Sequence, residues 1–163
     1  MAATQPSPCI VVGYDGSPSS RAALRLAVDR ARGGKLFIVH GYDAPADFWG
    51  SEHYDAAINA ALTRGEQMLD RAKAELDARD ADVAHELELI PGRAAEVIAT
   101  VAETRGADEI IVGTRGYGPL RGIALGSVAH ALLHQAACPV TVIPDAAVER
   151  LAANDPAAVE VTP

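Results

Sequence analysis

The sequence predicts an α/β fold: an open five-stranded parallel sheet with helices on both faces. Short apolar runs alternate with stretches of helical periodicity, and the order along the chain reads βαβαβαβαβ. Strands alternating with helices specify a mostly parallel sheet covered on both sides. The 163 residues fill one core and are short for two.

Cys9-Ile10-Val11-Val12 reads as a buried strand that Gly13 ends. Ser17 is placed to cap a helix whose first turn takes Pro18. Leu24, Ala27, Val28 and Ala31 give that helix its apolar stripe, and Gly33-Gly34 stops it. Leu36 to His40 is a second strand. After a loop over 42–54, a long helix runs from about Asp55 to Ala78. Val83 to Ile90 alternates apolar and polar residues, the pattern of an edge strand exposed on one face. Pro91-Gly92 turns the chain into a helix with stripe Ala94, Val97, Ile98, Val101, which Gly106 stops. Glu109 to Val112 is a fourth strand. A glycine-rich loop from Gly113 to Gly126 leads to a helix over Ser127 to Gln135, where Ser127 is expected as the cap, and Pro139 to Ile143 is the last strand. The domain spans 8–144. Residues 1–7 and 145–163 are expected as flexible tails, the second at most a weak helix because it is rich in Ala, Pro and acids.

Composition narrows the function. Hydrophobic residues are 49% and charged residues 22%, the balance of a globular domain. The formal net charge of -8 repels phosphate backbones, which argues against nucleic acid as a partner. No stretch reaches the roughly 18 apolar residues of a spanning helix, so no membrane role is expected. Two cysteines, Cys9 and Cys138, are too few for a disulfide scaffold, and the cytoplasm is the expected compartment.

In an open parallel sheet the ligand site lies beyond the carboxyl ends of the strands. Two such ends carry unusual residues: Gly13-Tyr14-Asp15-Gly16-Ser17, and Gly113-Thr114-Arg115-Gly116 continuing to Gly126-Ser127. Each leads into a helix N-terminus, with its free N–H groups and partial positive charge. Glycines at 113, 116, 118, 122 and 126 remove Cβ atoms, so backbone N–H groups can approach phosphate oxygens. Asp15 fits either a ligand contact or a turn residue before Ser17. There is no G-x-x-x-x-G-K-[ST], and Gly116-Tyr117-Gly118 fails as a dinucleotide fingerprint at Arg121. His130 and His134 lie one helical turn apart, a zinc-compatible spacing, but no acid stands beside the first; they read as surface or packing residues, and no metal ligand is assigned.

Gly113-x-x-Gly116, nine residues, then Gly126-Ser127 resembles the G-x2-G-x9-G-[ST] signature of the ATP-binding universal stress proteins. The resemblance extends to Val12 through Ser17, to Val39-His40 and to Pro139-Val140, and covers roughly 8–144. It implies sheet order 3-2-1-4-5, a Rossmann-like nucleotide-binding fold. It also implies ATP as ligand, with magnesium or manganese bound through the phosphates. The implied ligand contacts are Gly13, Tyr14 and Asp15 after the first strand, Val39 and Gly41 at the second, and Val112, Gly113, Arg115, Gly116, Gly126, Ser127 and Val128 around the motif. One position departs: the residue after the second-strand His is often apolar and touches adenine, and here Gly41 leaves a backbone contact.

In that order the first and last strands stand about 9–10 Å apart, too far for a Cys9–Cys138 disulfide. The last strand, 139–143, becomes an apolar edge on which two copies can pair as a homodimer, as related proteins do, with Thr141 expected to present its N–H to that edge. Without a dedicated base or a loop lysine, no catalytic residue is assigned. The expected function is an ATP-binding stress or signalling protein with slow or no hydrolysis and an unknown downstream partner. A hydrolysing or adenylate-handling enzyme and a nucleotide-free interaction module stay open as alternatives.

Overall fold

The computed structural model describes residues 7–43, 54–79, 82–114 and 125–153. β1 (Cys9–Gly13) leads into α1 (Pro18–Arg30), then β2 (Lys35–Tyr42), α2 (Tyr54–Asp77) and β3 (Ala84–Pro91). α3 (Ala94–Arg105), β4 (Glu109–Gly113), α4 (Ser127–Gln135), β5 (Val140–Ile143) and α5 (Asp145–Ala153) complete the order. Ser17 caps α1: its hydroxyl accepts from the Ser20 N–H at 3.2 Å. Gly106 ends α3 in the left-handed region at φ 62, where its N–H meets the Ala102 and Glu103 carbonyls.

The sheet is parallel throughout, in the order β3-β2-β1-β4-β5. Its pleat divides the core in two. Ile10, Val12, Leu36, Ile38, Ile111 and Ile143 face α1 and α2. Val11, Phe37, Val39, Ile110 and Val112 face α3 and α4. Burial of both faces explains why the central strands read as unbroken apolar runs.

Four expectations change. β3 is an edge strand, yet residues 85–90 are half-buried rather than exposed on one face. Leu87 packs on the α1–α2 core. On the other face Glu86 pairs with Lys35 at 2.5 Å and Glu88 with Arg105 at 2.8 Å. Both cations lie over the buried Phe37 ring, 4.9 and 4.8 Å from its centroid, so the polar side of the alternation shields an aromatic.

Secondly, the segment after Asp145 is a helix. α5 lays Ala147, Val148 and Leu151 against the α1–α2 core, and this tertiary contact holds a 9-residue segment that is too short to stay helical alone. Residues 154–163 lie outside the described residues, as do 1–6.

Thirdly, α4 is capped one residue earlier than expected, by Gly126, in extended conformation, whose carbonyl accepts from the His130 N–H at 2.9 Å.

Fourthly, Thr141 does not face the sheet edge. The Pro139 carbonyl accepts from the Ile110 N–H and the Ile143 carbonyl from the Thr114 N–H. Alternation along the strand therefore turns Thr141 to β4 as well, and it is Val140 and Val142 whose backbone groups point outward.

Candidate functional site

The carboxyl ends of β1, β2 and β4 meet at a cleft of about 560 Å³ that opens to solvent. Of the residues expected there, Gly13, Tyr14, Asp15, Val39, Gly41, Val112, Gly113 and Val128 line it. Arg115 and Gly116, with the rest of 115–124, lie outside the described residues. Ser127 lines an adjoining cavity of about 540 Å³, which shares Ala94 and Val128 with the cleft. Gly126 is the cap between the loop and α4.

The loop after β1 is tied down by its backbone. The Tyr14 N–H donates to the Val39 carbonyl at 3.0 Å, and His40 Nδ1 lies 2.8 Å from the Tyr14 carbonyl, a contact that requires a proton on that nitrogen. Asp15 Oδ1 accepts from the Ser17 N–H at 3.0 Å, so the turn role is real. Asp15 also lines the cleft. The turn role thus leaves it there.

The Tyr14 side chain points away from the cleft. Its phenol is 2% exposed, belongs to the α1–α2 core and donates to Glu75 Oε1 at 2.9 Å. Glu75 also accepts from Arg21 Nε at 2.7 Å. Burial, and then the hydrogen bond and charge of Glu75, push the phenol above its ordinary range. The cleft thus meets the Tyr14 backbone. The period of two that puts Ile10 and Val12 in this core carries the signal, because Tyr14 continues it.

Two glycines let helices reach the strand ends. A Cβ on Gly113 would stand 2.4 Å from Ser19 Oγ, so this glycine lets α1 lie against β4. A Cβ on Gly41 would stand 2.9 Å from Ala94 Cα and 3.1 Å from the Gly92 carbonyl. The start of α3 therefore fills the place a side chain at 41 would take, and Ala94 and Ile98 become cleft wall. Neither was foreseen, nor was Ser20. The available signal is positional: β3 pairs with β2 in parallel, with Gly41 opposite Ile90, so the helix after β3 must begin beside Gly41.

The glycine loop is closed at its neck. Thr114 is buried; its hydroxyl donates to the Ile143 carbonyl at 2.8 Å, and its own carbonyl accepts from the Gly126 N–H at 2.7 Å. No side chain caps α4, because Gly126 has none to offer. Its first N–H groups and its positive dipole end therefore open beside Val128 at the cleft. α3 likewise begins without a side-chain cap, at Arg93-Ala94. The arrangement suits a ligand with an apolar, planar part and an anionic part. Among the described residues it places backbone amides where the anion would sit.

A family model described as the Universal stress protein family matches residues 9–144. A universal stress protein of Thermus aquaticus is 33% identical over 136 residues, which is 82% of this chain and 96% of that one. A universal stress protein of Mycobacterium tuberculosis is 34% identical over 135 residues, 82% of this chain but 44% of its own, so this chain spans less than half of that relative. A universal stress protein solved in complex with cAMP superposes with a TM-score of 0.58 at 25% identity, over 86% of this chain and 98% of that one.

Proposed function

The chain belongs to the universal stress protein family, and on that premise we propose that it holds an adenine nucleotide, ATP foremost, as a ligand with slow or no hydrolysis. One observation carries the reading: the cleft joins backbone-lined strand ends to the start of a helix that no side chain caps. The base and ribose lie against Asp15, Val39, Gly41 and Ala94. The phosphates take the amides at the start of α4, the Ser127 hydroxyl, and Arg115 and Gly116 of the loop. Asp15 is the one carboxylate among the described residues that line the cleft, and one of its oxygens is already engaged. A magnesium or manganese ion is therefore carried chiefly by the phosphates.

The same geometry supports slow hydrolysis: Asp15 and His40, the carboxylate and the imidazole of the described lining, are each engaged by backbone groups of the β1 loop. The nucleotide acts as a signal by occupancy, in a cytoplasmic stress or signalling protein. The reading includes a homodimer: β5 ends the sheet, Val140 and Val142 stand half-buried on it, and Leu133 of α4 is 54% exposed.

Mass spectrometry of nucleotide released from the purified protein, followed by calorimetry with ATP and with cAMP, tests the ligand. Gly116→Val should weaken ATP at least tenfold, about 1.4 kcal/mol, with the fold intact. Equal affinity in a folded variant removes the phosphate-loop assignment. Tighter binding of cAMP makes the cyclic nucleotide the ligand. Phosphate release above roughly 1 s⁻¹ places the protein among enzymes.

A further inference from the structure

α4 carries a feature that the nucleotide cleft does not use. Its buried residues are Ala129 and Leu132, while Val128 borders the cleft. His130 and His134 lie on the opposite side, both exposed. At a spacing of four residues their rings stand side by side, centroids 4.9 Å apart and planes tilted by 56°. Among the described residues neither ring has a hydrogen-bond or ion-pair partner. We propose that His130 and His134 form a bidentate chelate for a transition-metal dication of the zinc type.

The chemistry favours that class. Imidazole nitrogen suits zinc, copper and nickel, whereas magnesium and calcium take oxygen ligands. Two imidazole nitrogens on one tetrahedral zinc, each at about 2.0–2.1 Å, lie roughly 3.3 Å apart. Neighbouring edges of rings whose centroids are 4.9 Å apart can supply that separation through small side-chain rotations. No third His, Cys, Asp or Glu converges here among the described residues, so water completes the coordination. Two further features attract a cation. His134 is in the last turn of α4, at the negative end of the helix dipole. The chain as a whole carries a formal charge of -8.

The test is a zinc titration of the untagged full-length protein in excess magnesium, read by calorimetry or by competition with a chromophoric chelator. One zinc per chain is expected. His130→Gln and His134→Gln should each weaken it at least tenfold, with circular dichroism and melting temperature unchanged because both rings are exposed. Zinc affinity equal to wild type in the double variant would assign any binding to Cys9, Cys138 or another group and overturn the proposal. So would a wild-type protein with no zinc bound at 1 mM, a concentration used here as a rough lower limit of useful affinity.

Discussion

Gly113→Ala should destabilise the fold, although the substitution adds only a methyl group. The backbone at 113 is not in the left-handed region, so conformation alone would favour alanine in a strand by about 0.5–1 kcal/mol. The space decides otherwise. The new Cβ would lie 2.4 Å from Ser19 Oγ and 2.8 Å from both Ser19 Cβ and the Ser19 carbonyl carbon. Ordinary contacts are about 3.5–4.0 Å, so α1 must retreat by close to 1 Å. Ser19 is 2% exposed inside α1, and its backbone cannot swing aside alone. Overpacking of this kind costs about 1–3 kcal/mol. The net expectation is a loss of about 1–2 kcal/mol, or roughly 2–8 °C in melting temperature. Urea unfolding of the single variants and of Gly113→Ala/Ser19→Gly measures it. The double variant, which relieves two of the three contacts, should lose less than the sum, by about 0.5 kcal/mol or more. A Gly113→Ala protein as stable as wild type, or more so, would refute the close approach of α1 to β4.

Tyr14→Phe should cost about 1 kcal/mol near pH 8 through the lost hydrogen bond to Glu75. The folded phenol holds its proton more tightly than the unfolded one, whose pKa is about 10. Its contribution is therefore complete below that pH and drains away above it. Urea melts between pH 8 and 10.5 should show wild type losing more stability than Tyr14→Phe, and parallel losses would mean the phenol is not shielded. Val142→Pro removes a backbone N–H that points out of β5, and light scattering should find a folded monomer where wild type is a dimer. A monomeric wild type, or a variant that still dimerises, rules out the β5 interface.

Much of the frame is legible in the sequence because its causes are local. The apolar runs at Ile10–Val12, Leu36–Val39 and Ile110–Val112 are strands buried on both faces, and Ser17-Pro18 is a helix start in its own right. The site is legible where it consists of strand ends and glycines. What escapes depends on a partner distant in sequence. α5 has an apolar stripe of only Ala147, Val148 and Leu151, and it is α1 that makes them worth burying. Ala94 and Ile98 become cleft wall only because β3 lies beside β2 and Gly41 admits α3. Gly126-Ser127 reads in sequence as loop then cap, because a hydroxyl is the commoner cap, whereas here glycine caps α4 and the absence of a hydroxyl leaves the helix end open.

The hydrogen bond between the Thr114 carbonyl and the Gly126 N–H ties together the two ends of the glycine segment. Leu125, just before Gly126, packs on the α3–α4 core and belongs to the frame. Closing a longer loop is cheap, about 0.6 kcal/mol for each doubling of length, so insertions there should leave the melting temperature nearly untouched. If the loop holds the ligand as proposed, residues 115–124 transplanted between relatives at this neck should carry their binding preference with them.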